Sequence, residues 1–86
     1  MAEGKLIGKV VHFFGKISVA IAKVETDLKI GDQVHFEGAH TDFEQEIESM
    51  QVDHEPVEQV AAGEEVAIKV KERVRAGDTL HMHSDE

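Results

Sequence analysis

The 86-residue chain contains no cysteine, tryptophan or tyrosine and only one proline. Without cysteine there is no disulfide framework and no thiolate nucleophile, so any metal site must be built from histidine and carboxylate groups. The first ten residues, MAEGKLIGKV, lack the long apolar run of a signal peptide or a membrane span. We therefore expect a single small cytoplasmic domain over residues 1–86, frayed at 1–4 and 84–86 and not associated with a membrane.

Lysine and arginine are absent from residues 30–68, which carry eleven acidic residues, and the net charge of the chain is −9. A strongly acidic centre disfavours non-specific binding to the phosphate backbone of DNA. Residues 1–29 nevertheless contain five lysines, and residues 69–86 contain four basic residues. The sequence therefore predicts no DNA partner, but a local basic surface that binds RNA remains open.

No stretch shows the period of an amphipathic helix, whereas apolar and polar residues alternate through most of the chain. In DQVHFEG the alternation turns Val34 and Phe36 inward, and in EEVAIKV it turns Val66 and Ile68 inward. Several short strands joined by glycine-bearing turns are typical of an all-β barrel, and closure would hide the sheet edges. We predict a small closed barrel of six to seven strands.

Two predicted strands depart from simple alternation. KISVAIAKV (residues 16–24) has large aliphatic residues on one side and small residues on the other, so it suits a strand covered on both sides. In TDFEQEIESMQVDHEPV the apolar parity changes after Ile47. Because a one-residue slip turns every side chain over, we expect a β-bulge near Glu48–Ser49, with Pro56 marking a sheet edge.

A nine-residue phrase occurs three times: LKIGDQVHF at 28–36, VAAGEEVAI at 60–68 and VRAGDTLHM at 74–82. Glycine reaches positive φ without steric cost, and the acid that follows can accept hydrogen bonds from nearby backbone amides. We therefore interpret the phrase as a turn that leads into a strand. It lacks the glycine spacing and the following helix of a phosphate-binding loop, so no bound nucleotide is expected.

An ordered set of residues resembles the second, β-barrel domain of the translation GTPases, such as elongation factor Tu. The matching positions are Gly8, Val10, Leu28, Gly31, Asp32, Val34, Ala62, Gly63, Val66, Gly77, Asp78 and Leu80. The stretches HFFGKISVAI, TDFEQEIESMQVDHEPVE and IKVKERVRAGDTL resemble small stand-alone bacterial proteins labelled translation elongation factor-like. A similar barrel is appended to some peptidases of the collagenase-like class.

The resemblance implies a non-enzymatic binding module that contacts tRNA or a ribosome-associated protein. The chain lacks a Gly-x-x-x-x-Gly-Lys-Ser/Thr motif and therefore is not the GTPase itself. In elongation factor Tu the second domain offers a pocket for the aminoacylated 3′ end of tRNA. The resemblance would place Gln51 near the acidic position of that pocket.

HFFGK (residues 12–16) is predicted to form a hairpin tip with two adjacent phenylalanines. If Phe13 is in the core, Phe14 is exposed or lies over the end of the barrel. An exposed Phe14 beside His12 and Lys16 would stack on a base or anchor a protein contact, and the alternative is that it plugs the barrel end. The candidate binding residues are His12, Phe14, Lys16, Gln51, Lys69, Lys71 and Arg73.

Two other functions remain open. The first is a protein-interaction module that acts in trans on a partner enzyme. The second is a small metal-binding protein that uses His81 and His83, which share one face of a predicted strand. His35, at the matching place in the first copy of the phrase, and Asp85 would complete the ligand set. Outward histidines near a terminus are more often plain surface residues. No nucleophile–base pair stands out, so neither an enzyme nor a cofactor is expected.

Overall fold

The computed structural model describes residues 5–82, and all the regular secondary structure of this range is β-strand. No helix in this range is long and apolar enough to cross a membrane. Eight strands form one antiparallel sheet in the order β5-β4-β10-β1-β2-β9-β6-β7, and β3 pairs with β8 in a separate ribbon. The strands are β1 Leu6–Phe14, β2 Val19–Val24, β3 Leu28–Lys29, β4 Gln33–Gly38, β5 Thr41–Glu46, β6 Met50–Val52, β7 Glu55–Val57, β8 Gln59–Val60, β9 Glu65–Lys69 and β10 Thr79–Met82.

The all-β prediction is confirmed, but the closed barrel of six to seven strands is not found. Within residues 5–82 the ladder begins at β5 and ends at β7, and these two strands do not pair. The side chain of Gln45 on β5 instead bonds to the backbone at the end of β9. Gln45 Nε2 donates to the Lys69 carbonyl at 2.9 Å, and Gln45 Oε1 accepts from the Lys71 amide at 2.9 Å. The Gln45 amide thus satisfies backbone groups that a neighbouring strand would otherwise pair.

The inner face of the sheet encloses one apolar core. Val34 and Phe36 on β4 and Val66 and Ile68 on β9 are buried, as their alternation predicts. The Phe36 and Phe43 rings stack with their centroids 5.0 Å apart. Together with these, the core contains Ile7, Val10, Ala20, Ala22, Val24, Leu28, Ile47, Met50, Val60, Val70, Val74 and Leu80.

Two register shifts change which β1 side chains face the core. Ile7 and Val10 are both buried although they differ in parity, because the pairing of β1 with β10 shifts between Leu6 and Gly8. The pairing of β1 with β2 shifts between Val10 and His12. Val11, at the shift, is 42% exposed. Because a bulge adds one unpaired residue, it reverses the alternation beyond it and turns His12 outward together with its partner Ile21.

The bulge predicted near Glu48–Ser49 is replaced by a break between two strands. The chain leaves β5 after Glu46 and re-enters the sheet at Met50. Between them Ile47 is buried, its amide donates to the Asp32 carbonyl and its carbonyl accepts from the Gly31 amide, both at 2.8 Å. The parity change is therefore absorbed by a connection tied to the turn before β4. Pro56 lies on β7, at the end of the sheet order, as predicted for an edge.

The three copies of the repeated phrase form equivalent turns. Their glycines have positive φ, 97° at Gly31, 93° at Gly63 and 100° at Gly77. In each copy the acid's amide donates to the carbonyl three residues earlier, with distances between 3.0 and 3.3 Å. Positive φ at the third residue and this bond describe a type II turn. The interpretation of the phrase as a turn leading into a strand is confirmed.

Candidate functional site

An apolar groove of about 380 Å³ lies on the outer face of the sheet, where β1, β2, β9 and β6 are neighbours. Its walls combine aliphatic and aromatic side chains with a few polar groups. The described residues that line it are Phe14, Ile17, Val19, Ile21, Ser49, Gln51, His54, Ala67 and Lys69.

The strand registers explain why these side chains meet. Ile21 on β2 lies opposite His12 on β1 and opposite Ala67 on β9, and Ala67 in turn lies opposite Gln51 on β6. Directly paired residues of antiparallel strands point to the same side of the sheet. A first row of outward side chains therefore crosses four strands, with the small Ala67 forming its low point.

A second row runs parallel to the first, nearer the tip of the first hairpin. Val19 lies opposite Phe14 on β1 and opposite Lys69 on β9. Ile17, in the turn that joins β1 to β2, is 59% exposed, and Phe14 is 44% exposed. Apolar side chains of this size gathered on one solvent-facing surface mark an interaction site more often than an accident of composition.

The composition of β2 forces its large residues outward. Ala20 and Ala22 are fully buried and face Ile68 and Val66 across the β2–β9 ladder. Only small side chains fit there, because the neighbouring aliphatic residues already fill the interior. The large residues of β2 consequently take the opposite face, which reverses the usual arrangement of a half-buried strand.

The groove also contains polar groups that suit a peptide ligand. The His12 and Phe14 ring centroids are 4.4 Å apart with the planes tilted by 54°, so the imidazole buttresses the phenyl ring. Asp53 and His54 have φ of 53° and 68°, the conformation of a two-residue type I′ hairpin between β6 and β7. This hairpin holds His54 at the rim of the groove. Among the described lining residues, Lys69 is the one lysine, and none is arginine, aspartate or glutamate.

The structure brings together only part of the predicted binding set. Phe14, Gln51 and Lys69 line the groove. His12 lies beside Phe14 on the same outward face, so Phe14 does not plug a barrel end.

Three predicted residues lie apart from the groove lining. Lys16 is exposed in the turn after β1, and Arg73 is exposed in the segment between β9 and β10. Lys71 lines a neighbouring shallow cavity of about 250 Å³ together with Glu46 and Glu48, and Lys69 lines both this cavity and the groove. Whether any residue of the predicted set binds a ligand stays a prediction.

Sequence reasoning missed the aliphatic wall of the groove, formed by Ile17, Val19 and Ile21. The signal was present in the small residues that alternate with them, because a row of alanines fits only a crowded interior. His54 was missed for a different reason. Asp-His is an unusual pair for a type I′ hairpin, which favours Asn-Gly or Asp-Gly.

The predicted metal ligands occupy a different part of the sheet. His81 lies opposite His35 across the β10–β4 ladder. His35 Nε2 is 2.6 Å from Asp42 Oδ1, and His81 Nε2 is 3.0 Å from Thr79 Oγ1. Among residues 5–82, no group of three histidine or carboxylate side chains is placed to hold a metal ion. His83 and Asp85 lie outside the described residues.

Three curated relatives match nearly the whole chain, whereas no family model matches it. The chain is 42% identical over 77 residues to the uncharacterized protease MJ0090 of Methanocaldococcus jannaschii, covering 88% of this chain and 19% of the relative. It is 32% identical over 77 residues to a collagenase of Porphyromonas gingivalis, covering 87% of this chain and 21% of the relative. The chain thus spans about a fifth of the length of these relatives.

Solved structures with the same fold come from a putative U32 peptidase of Geobacillus thermoleovorans. Its C-terminal domain superposes with a TM-score of 0.87 at 19% identity, covering 93% of both chains. The selenomethionine variant of that domain gives 0.85 at 20% identity, covering 90% of this chain and 98% of the other. At this level of identity the likeness shows a shared fold.

These comparisons correct the resemblance to translation factors. The matching relatives are a protease and a collagenase, and the matching structures are domains of a U32 peptidase. The expected non-enzymatic module that binds tRNA or the ribosome is therefore wrong, since these relatives indicate a peptidase relationship. The residues that supported it are mostly the glycine–acid turns and the aliphatic residues around them. Such residues indicate where strands begin, and they carry no information on the ligand of a fold.

Proposed function

We propose that the chain is the β domain of a U32-type peptidase and works together with a peptidase catalytic domain on polypeptide. The observation that carries the proposal is the 42% identity to a protein named as a protease, which extends over 88% of the chain. Because the match covers only 19% of that relative, most of the relative's length is left for a catalytic domain. Its β region, like this chain, would serve that domain.

The outer groove gives this domain a surface suited to polypeptide. Exposed aliphatic side chains beside an aromatic ring and a few hydrogen-bonding groups are the usual composition of a peptide-binding surface. Ile17, Phe14 and Gln51 supply these three components on one face. We expect the domain to help hold a polypeptide while the catalytic domain acts on it.

A domain exchange in the P. gingivalis collagenase tests the proposal. One protein lacks the 77-residue segment that matches this chain, and a second carries residues 5–82 of this chain in its place. We expect collagen digestion, followed by gel electrophoresis, to be lost in the first protein and restored in the second. Thermal unfolding of both proteins controls for folding. Undiminished digestion by the deleted protein would show that the β segment serves no peptidase function.

A further inference from the structure

We propose that the outer groove binds an extended polypeptide segment that places apolar side chains against Phe14, Val19 and Ile21 and a carboxylate beside Lys69. The inference rests on the proposed function and adds the chemistry of the ligand. It joins three observations, namely the exposed apolar rows, the spacing of those rows and the distribution of charge around them.

The apolar rows have the spacing of an extended peptide. Val19 and Ile21 are two residues apart on β2, and both point outward. Side chains two residues apart along a strand are about 7 Å apart, whether they belong to the sheet or to a peptide laid across it. A peptide that runs along β2 can therefore set every second side chain against this outer face, in step with the two rows. Ser49 and Gln51 line the same groove and supply a hydroxyl and an amide for hydrogen bonding.

The size of the groove also suits a short segment. Its volume of about 380 Å³ lies near the lower end of the range for ligand sites, about 300–1,000 Å³. This accommodates two or three side chains and excludes a folded partner from its interior.

Charge decides which segment fits. The chain carries 18 acidic residues and a net charge of −9, yet no acidic side chain is among the described residues that line the groove. Lys69, on the second row, is exposed and faces the same side as Val19. On a molecule that repels acidic ligands over much of its surface, the groove is a local site where a carboxylate meets a cation.

The orientation of the peptide follows from the strand period. Lys69 shares its side of the sheet with the apolar rows, so the carboxylate must share its side of the peptide with the apolar side chains. A peptide with leucine, leucine and aspartate at alternate positions meets this condition, as in Leu-Ser-Leu-Ser-Asp. Replacing aspartate by lysine gives a matched peptide of opposite charge, and replacing both leucines by serine gives a matched peptide without apolar anchors.

The test measures binding of these three blocked, fluorescein-labelled peptides to the full chain by fluorescence anisotropy at low salt. We expect the aspartate peptide to bind about tenfold more tightly than the lysine peptide, because a favourable surface ion pair is replaced by a repulsive one. The serine peptide should not bind. Lys69→Glu should reverse the preference, so that the lysine peptide becomes the tighter ligand.

Matched variants separate the groove from general effects. Lys5→Glu makes the same charge change at an exposed lysine outside the groove and should leave the order of affinities unchanged. Ile17→Ser should weaken the aspartate peptide, whereas Ile30→Ser should not, since Ile30 is 39% exposed but is not a lining residue. All four positions are exposed, and circular dichroism verifies that each variant folds.

Several results would overturn the inference. The first is that the native chain does not bind the aspartate peptide, and the second is that it binds the aspartate and lysine peptides equally. The third is that Lys5→Glu and Lys69→Glu change the peptide affinities equally. A dimer in sedimentation that Ile17→Ser dissociates would assign the groove to a second copy of the chain instead. Because peptide binding is measured without a catalytic domain, failure here with a functional collagenase exchange would refute the groove and leave the peptidase role intact. Peptide binding as expected, together with a collagenase exchange that fails to restore digestion, would refute only the peptidase role.

Discussion

At the scale of single residues, Asp78 connects parts of the chain that are far apart in sequence. Over residues 5–82, Asp78 and Thr41 are the buried polar residues of the fold. Thr41 Oγ1 donates to Asp78 Oδ2 at 2.5 Å, and the Arg75 amide donates to the same oxygen at 2.9 Å. The carboxylate thus links the start of β5 to the turn before β10, and the buried Thr41 hydroxyl in particular depends on it for an acceptor.

We expect Asp78→Ala to lower the free energy of unfolding by about 2–3 kcal/mol, because it leaves two donors without a charged acceptor. Asp32 is the matched control, since it occupies the same place in an earlier copy of the phrase. Its carboxylate accepts from the Lys29 amide and pairs with the exposed Lys29 ammonium, each at 3.1 Å. Asp32→Ala should cost about 1 kcal/mol or less. Urea unfolding measures both, and equal losses would contradict the role given to Asp78.

The sequence predicts the turn at each of these aspartates but does not distinguish their roles. Gly31 and Gly77 identify the turns because an L-residue with a side chain resists the φ that they adopt. Whether the acid that follows is buried depends on Thr41, which is 37 positions away from Asp78. A local pattern carries no information on such a contact.

At the scale of secondary-structure elements, β2 decides where the candidate site lies. Its alternation was visible in the sequence and predicted a strand covered on both sides, but only the face with the small residues is fully buried. Packing density explains which face of β2 is buried. Ala22 is fully buried opposite Val66, whereas Ile21 lies half-buried on the outer face opposite Ala67. Because the small residues of β2 face the core, its large residues face outward and form the wall of the groove.

Substitutions on the two faces of β2 should therefore lower the free energy of unfolding by different amounts. We expect Ala22→Val to lower the free energy of unfolding by about 1–3 kcal/mol, since added methyl groups overpack a filled core. Ile21→Thr should cost less than about 1 kcal/mol, because threonine keeps the β-branched shape on a face that water already reaches. Thermal and urea unfolding of the two variants provide the measurement. A larger loss for Ile21→Thr would mean that the outer face is packed as a second core.

At the scale of the whole molecule, the sequence predicted strands far better than it predicted how they assemble. The inward faces of β4 and β9 follow from alternation at Phe36 and Ile68, which depends on neighbours within each strand. Closure depends instead on whether β5 and β7 pair, and these strands are the two ends of the sheet order. The functional resemblance was wrong for a related reason, since turn residues recur wherever antiparallel strands begin.

The sheet order makes β10 the strand that holds the two parts of the molecule together. It lies between β4 and β1, so the end of the described chain joins the β4–β5 hairpin to the strands that carry the groove. Leu80 is fully buried and lies opposite Phe36 on one side and Gly8 on the other. Its side chain therefore packs in the part of the core that both halves share.

Leu80→Ala should lower the free energy of unfolding by about 2–5 kcal/mol through lost burial and a residual cavity. Leu6→Ala removes the same atoms from the adjacent strand, but Leu6 is 41% exposed, so a loss below about 1 kcal/mol is expected. Hydrogen exchange then tests the joining role. Since small domains unfold cooperatively, amides of β4 and β9 should lose protection by the same factor in Leu80→Ala. Loss confined to β4 and β5 would show that the groove-bearing strands are stable without β10, which would separate the candidate site from the rest of the fold.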